Sequence, residues 1–91
     1  MPYTVGRVKV EDYDKFKQNF FSEGTIALRQ SYGSQWARLF RSSSDPKEII
    51  VLAEWDDLEN ARRFFQSNEL REQQQRIGVV EVVQYEEVEP S

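Results

Sequence analysis

Residues 48–55 read EIIVLAEW, and five apolar residues follow one another there without a polar interruption. A strand that is apolar on both faces is typical of the interior of a sheet, where both faces are covered or paired. We therefore expect residues 48–55 to form a central strand, with the other elements of the chain arranged on either side of it.

Three further segments have the composition of strands: 3–10, 34–41 and 79–88. Between the first two, Tyr13, Phe16 and Phe20 are spaced by three and four residues, which predicts one apolar stripe on a helix. Asp12 is the expected N-cap. The pattern continues to about Tyr32, with a break or bend at Gly24.

A second helical region follows the central strand. Asp56 and Glu59 have the spacing of a capping box, so we expect the helix to begin at Asp56. Ser67 and Asn68 predict a break and a new cap, followed by a short helix that ends before Gly78. Residues 42–47, Ser-Ser-Ser-Asp-Pro-Lys, have the composition of a turn.

The predicted order of elements is β-α-β-β-α-β over a single domain, residues 1–91. This order predicts an α+β, ferredoxin-like fold, in which both helical regions cover one face of a four-stranded antiparallel sheet. The first and third strands are then central, and the acidic fourth strand lies at an edge.

The other face of such a sheet has no helix on it. If residues 42–47 form the hairpin loop, Trp36 lies opposite Ala53 and Phe40 lies opposite Ile49. The helix-free face would then carry Trp36, Arg38, Phe40, Ile49, Val51, Ala53 and Trp55. A register that is wrong by one residue would exchange the faces.

An uncovered aromatic surface of this size predicts an interaction site. We expect a homodimer in which two sheets pack and enclose a barrel-like space. The predicted dimer interface consists of Trp36, Phe40, Ile49, Val51 and Trp55.

Arg38, Trp36 and Trp55 are the candidate ligand-binding residues on this face. An arginine among tryptophan rings can bind an anionic or enolate-like aromatic molecule by charge and stacking. The alternative is an interface arginine that pairs with a carboxylate. Arg7 and Tyr85 are expected to face the same space, where an Arg7–Glu81 ion pair is the simpler interpretation for Arg7.

The composition excludes several classes of function. The chain has no Cys and no His, which removes thiolate chemistry and the usual ligands of zinc and haem, so no metal or cofactor is expected. A net charge of −4 without a basic stripe argues against nucleic acid as a partner. No apolar run approaches the ~18 residues of a membrane span, and no signal peptide is visible, so we expect a cytoplasmic location.

Several motifs resemble those of a known superfamily. They are Asp12-Tyr13-Asp14-Lys15-Phe16-Lys17, Leu39-Phe40-Arg41 before Asp45-Pro46, Val51-Leu52-Ala53-Glu54-Trp55-Asp56, Ala61-Arg62-Arg63-Phe64-Phe65, Ser67-Asn68-Glu69-Leu70-Arg71 and Gly78-Val79. Together the motifs resemble a small member of the dimeric α+β-barrel superfamily, similar to the antibiotic-biosynthesis-monooxygenase-like (ABM-like) domains.

The resemblance implies a ferredoxin-like protomer that dimerises through its sheets. The superfamily includes cofactor-free monooxygenases of aromatic polyketides, polyketide cyclases, lactone isomerases and haem-using enzymes. Its haem branches use a His ligand, which this chain lacks. Fold alone does not choose among the others.

Three functions follow as hypotheses. The first is a homodimer that binds a small apolar or aromatic ligand, since no acid–base pair is recognisable. The second is a cofactor-independent monooxygenase, cyclase or isomerase. The third is a structural or partner-binding dimer whose sheet faces close on each other.

Overall fold

The computed structural model describes residues 1–90, so the last residue of the predicted domain, Ser91, lies outside the described part. The elements are β1 (Tyr3–Val10), α1 (Tyr13–Phe20), α2 (Glu23–Ser31), β2 (Ser34–Arg41), β3 (Glu48–Trp55), α3 (Leu58–Phe65), α4 (Asn68–Arg76) and β4 (Val79–Glu86). The strands form one antiparallel sheet in the order β2-β3-β1-β4. The predicted ferredoxin-like α+β fold is confirmed, and β1 and β3 are the central strands.

The first helical region is divided where a serine can cap a new helix. Asp12 caps α1 as predicted, and its carboxylate accepts a hydrogen bond from the Lys15 N–H at 3.2 Å. Ser22 caps α2 by accepting from the Thr25 N–H at 3.4 Å. The break therefore lies at residues 21–22, and Gly24 is in the first turn of α2 rather than at the break.

The second helical region begins one residue later than predicted. Asp57, not Asp56, is the N-cap of α3, and its carboxylate accepts from the Glu59 N–H at 2.8 Å. Asp56 instead accepts from the side-chain amide of Asn60 at 3.1 Å. Ser67 caps α4, as the sequence predicted.

The turn before β2 depends on a glycine. Gly33 has φ +101°, a conformation that residues with a β-carbon rarely adopt. Its carbonyl accepts from the Asp56 N–H at 3.0 Å, and a β-carbon at residue 33 would collide with the Asp56 carboxylate. This contact ties the start of β2 to the end of β3.

The register of the β2–β3 hairpin differs by one residue from the prediction. Trp36 lies opposite Glu54, and Phe40 lies opposite Ile50. The reason is Ser42, whose N–H donates to the Glu48 carbonyl at 2.9 Å. Its hydroxyl accepts from the N–H groups of residues 44 and 45. Ser42 therefore ends the ladder, and only residues 43–47 form the loop.

A shift of one residue exchanges the two faces of a strand. The predicted placement of Ile49, Val51, Ala53 and Trp55 on the helix-free face is wrong: these side chains face the helices. Trp55 is only 1% exposed, and Ile49 is completely buried. The predicted positions of Trp36, Arg38 and Phe40 are unaffected, because the error lies in β3 alone.

Two clusters of buried residues fill the space between the helices and the sheet. One consists of Val8, Val10, Phe16, Phe20, Ile49 and Ile77. The other consists of Ala53, Trp55, Ala61 and Phe64.

A close approach within the sheet occurs at Gly6 in β1. The carboxamide of Gln84, on the neighbouring strand β4, lies directly over it. A β-carbon at residue 6 would be 2.9 Å from Gln84 Oε1 and 3.1 Å from Nε2.

Candidate functional site

The helix-free face is the first candidate surface. The register places eight large apolar or aromatic side chains on it: Tyr3, Val5, Trp36, Phe40, Ile50, Leu52, Val83 and Tyr85. The charged side chains of the same face are Arg7, Lys9, Arg38, Glu48, Glu54 and Glu81. The predicted site residues Arg7, Trp36, Arg38 and Tyr85 therefore share this face. Trp55, the fifth, lies on the opposite side of the sheet and is separated from Arg38.

The charged groups of this face differ in their partners. Arg7 lies 3.8 Å from a carboxylate oxygen of Glu48 and 3.6 Å from one of Glu81. The guanidinium carbon of Arg38 is 5.2 Å from the centre of the Trp36 ring. Phe40 is 49% exposed and Tyr85 is 53% exposed, so the face presents aromatic surface to solvent.

The second candidate is a cavity of about 90 Å³ between the helices and the sheet. Its walls are mostly apolar, and the aromatic rings among them belong to Phe16, Phe20, Trp55, Phe64 and Phe65. These rings lie on α1, α3 and the end of β3. The cavity therefore lies between the two helical regions, and the sheet forms its floor.

The polar groups of the cavity are mostly uncharged. Four of them are half-buried side-chain amides, which belong to Asn19, Gln73, Gln74 and Gln84. The Thr4 hydroxyl already accepts a hydrogen bond from Trp55 Nε1 at 2.9 Å. Among the cavity-lining residues that the structure describes, Arg29 is the single ionisable one.

Arg29 is held in a defined position on α2. The residue is 8% exposed, and its Nη1 donates to the carbonyl of Phe20 at 3.0 Å. Its guanidinium carbon lies 4.0 Å from the centre of the Phe20 ring. Burial lowers the pKa of Arg29 from its ordinary value, but an arginine remains protonated at neutral pH.

Sequence reasoning missed Arg29 because it continued one helical stripe through residues 12–32. Ser22 instead caps a new helix, α2. The positions that face the sheet in α2 therefore do not continue the three- and four-residue spacing of α1. Thr25 and Arg29, four residues apart, are the buried residues of α2. The signal that could have found them is Ser22 itself, a residue type that prefers N-cap positions.

Residues 1–90 contain neither a cluster of metal-ligating side chains nor a helix that could span a membrane. No group of three or more Asp or Glu side chains in this range is arranged to hold a metal ion. No helix in the same range is long and apolar enough to cross a membrane.

The sequence of the chain matches a known protein family. The family model described as antibiotic biosynthesis monooxygenase matches residues 5–76, which covers β1 to α4 and thus most of the cavity lining. The chain belongs to this family. A search of curated proteins finds no match to the chain.

Solved structures share the fold of this family member at low sequence identity. A cofactor-independent oxygenase from Streptomyces nogalater, SnoaB, in a single-site variant, has a TM-score of 0.72 and 17% identity; the alignment covers 99% of this chain and 93% of SnoaB. A Deinococcus radiodurans protein provisionally named an antibiotic biosynthesis monooxygenase has a TM-score of 0.72 and 14% identity, with coverages of 100% and 94%.

A third neighbour is described by its assembly. It is a dimeric ferredoxin-like protein from an uncultured marine organism, with a TM-score of 0.68 and 12% identity, and the alignment covers 100% of this chain and 96% of that one. At such identities the three likenesses show a common fold.

Proposed function

We propose that this family member is a homodimer that binds a small aromatic molecule in the cavity between its helices and its sheet. The observation that carries the proposal is the lining of that cavity, in which twelve of the nineteen residues are apolar, five of them aromatic, and the other seven carry polar side chains. Binding sites for small molecules typically combine an apolar wall with a few polar groups that fix the orientation of the ligand.

The volume of the cavity limits the size of the ligand. At about 90 Å³ it is smaller than an engineered apolar cavity of about 150 Å³ that binds benzene. One aromatic ring therefore enters only if lining side chains move. The half-buried amides of Asn19, Gln73 and Gln74 are the lining groups with the most freedom to do so, and we expect single rings to bind better than fused ones.

The helix-free face supports the dimeric part of the proposal. A monomer would leave the side chains of Trp36, Phe40 and Tyr85 without cover, and large exposed apolar surfaces usually mark interfaces. On β3 the outward-facing Ile50 and Leu52 take the interface role that was predicted for Ile49, Val51 and Trp55. A structural neighbour described as dimeric is consistent with this assembly.

The ligand-binding role predicted for Arg7, Trp36, Arg38 and Tyr85 stays a prediction, and it concerns the space between two copies. The cytoplasmic location also stays a prediction.

Tryptophan fluorescence tests the cavity directly. The chain has two tryptophans, and the Trp36→Phe variant leaves Trp55, which lines the cavity, as the single emitter. Titration of this variant with benzamide should change the emission in a saturable manner, and 1-naphthamide should bind more weakly.

A matched pair of substitutions on β4 provides the control. Val82 lines the cavity, so Val82→Phe in the Trp36→Phe background should abolish the response. Val80 is 65% exposed, and Val80→Phe should leave the response intact. The absence of a saturable change with single-ring aromatic probes, both neutral amides such as benzamide and carboxylates such as benzoate, would show that the cavity does not bind aromatic ligands.

Oxygenation without a cofactor is the second candidate function. It is favoured by the match to the antibiotic biosynthesis monooxygenase family and by the fold shared with SnoaB. Because the described lining holds no carboxylate, imidazole or phenol, a substrate would have to ionise without a general base from the cavity wall. With a readily oxidised phenol such as hydroquinone, we expect the parent protein to take up oxygen faster than the Val82→Phe variant; equal rates would refute this candidate.

A further inference from the structure

The charge of Arg29 has no carboxylate partner in the described part of the chain. The ion pairs found over residues 1–90 involve Arg7 and Arg62, and none involves Arg29. Buried charges in proteins are generally paired or bound to a ligand, because removing an ion from water is costly. An arginine that is 8% exposed and unpaired therefore requires an explanation.

One part of the explanation is structural. The carbonyl that accepts from Arg29 Nη1 belongs to Phe20, the last residue of α1. A positive charge near the C-terminus of a helix is favourable. This contact, together with the Phe20 ring beneath the guanidinium, fixes the side chain in place but uses few of its five N–H donors.

The remaining donors are not completely enclosed by the protein. Among the described residues, no buried side-chain nitrogen or oxygen lacks a hydrogen-bond partner. The guanidinium nitrogens that have no partner in the protein must therefore be accessible to solvent. Since Arg29 lines the cavity, its positive charge lies beside the aromatic side chains and the neutral amides of the wall.

We propose that Arg29 makes the cavity selective for an aromatic carboxylate, with the ring against the phenylalanine and tryptophan walls and the carboxylate on the guanidinium. The inference rests on the proposed function and specifies its ligand class. Guanidinium and carboxylate groups form paired, charge-assisted hydrogen bonds. The net charge of −4 opposes anions at long range, so a preference for an anion must arise locally at Arg29.

A comparison of benzoate with benzamide tests the inference, because the two probes differ mainly in charge. In the Trp36→Phe background, benzoate should bind about tenfold more tightly than benzamide, the size of effect expected for one charge-assisted hydrogen bond. Arg29→Met should abolish this preference and leave benzamide binding within about threefold. Arg29→Lys should retain part of the preference.

The control is Arg63→Met, which removes an exposed positive charge from the same helical layer and should leave the preference unchanged. Circular dichroism shows whether each variant is folded. If Arg29→Met is not folded, the partial loss of preference expected for Arg29→Lys tests the inference instead. Equal affinity for the two probes would overturn the role of Arg29 and leave the proposed function standing. Binding of neither probe would overturn both.

Discussion

Trp55 is the residue that connects the core with the candidate cavity. Its ring packs against those of Phe64 and Phe65, with centroids 5.6 and 5.7 Å away. Its single polar atom, Nε1, donates to the hydroxyl of Thr4. Thr4 is also buried, so both partners of this hydrogen bond are shielded from bulk solvent.

We expect Thr4→Val to destabilise the protein by about 1–3 kcal/mol, since it keeps the shape of the side chain but leaves a buried N–H without an acceptor. Urea denaturation measures the difference. Thr4→Ser keeps the hydroxyl and should cost less, about 0.8 kcal/mol for the lost methyl group. If Thr4→Val were as stable as the parent, the hydrogen bond would contribute nothing.

The candidate site could be predicted from the sequence only in part. Trp55 and the aromatic stripe of α1 were recognised, but Trp55 was assigned to the wrong face because Ser42 was counted as loop. Arg29 was missed because the Ser22 cap changed the phase of the helix. Both errors come from a serine whose hydroxyl binds nearby backbone N–H groups, a local contact that periodicity does not reveal.

At the level of elements, the two helical regions begin and end through specific caps and glycines. Gly33 leads into β2 with a positive φ, and Gly78 leads into β4 in the same way. Gly24 differs from both, because a β-carbon there would have no atom within 4 Å apart from its chain neighbours and the backbone of its own helix.

Replacing Gly33 and Gly24 by alanine should therefore have different effects on stability. Gly33→Ala should lower the free energy of unfolding by at least about 1 kcal/mol, because the backbone must adopt a left-handed conformation and the Asp56 carboxylate must move. Gly24→Ala should leave stability unchanged or raise it by about 0.5 kcal/mol, since alanine is the better helix former. Thermal unfolding of both variants checks the pair; equal effects would contradict this account.

The sequence predicted which segments form strands better than it predicted how the strands pair. All four strands were recognised, because an unbroken apolar run and turn residues are local signals. The number of residues in the hairpin loop was not, because it depends on whether Ser42 pairs with Glu48 across the sheet. The hydrophobic pattern of β3 does not distinguish the two registers, because its residues are apolar on both faces and either register buries apolar side chains.

For the molecule as a whole, the central question is what covers the helix-free face. In a two-fold dimer each residue near the axis occurs twice, so one substitution alters the interface from both sides.

Phe40→Asp should therefore convert the proposed dimer into a monomer of 10.8 kDa, measured by light scattering after size exclusion. Phe40 is 49% exposed in a single chain, so the fold should tolerate the change.

The matched control is Phe21→Asp. Phe21 is 51% exposed but lies between α1 and α2 in the helical layer, so this variant should remain dimeric. A parent protein that is monomeric at micromolar concentration would refute the dimer, and dissociation of both variants would show that the effect is not specific to the sheet.

Gly6 has a consequence for the range of molecules that the cavity can accept. It does not line the cavity, yet the carboxamide of Gln84, which does, rests on it. Any side chain at residue 6 would displace that carboxamide, and because it is the end of a flexible chain the displacement would cost little. Gly6, in a central strand, thus acts as a spacer, because its hydrogen atom leaves room for a carboxamide that forms part of the wall of the candidate cavity.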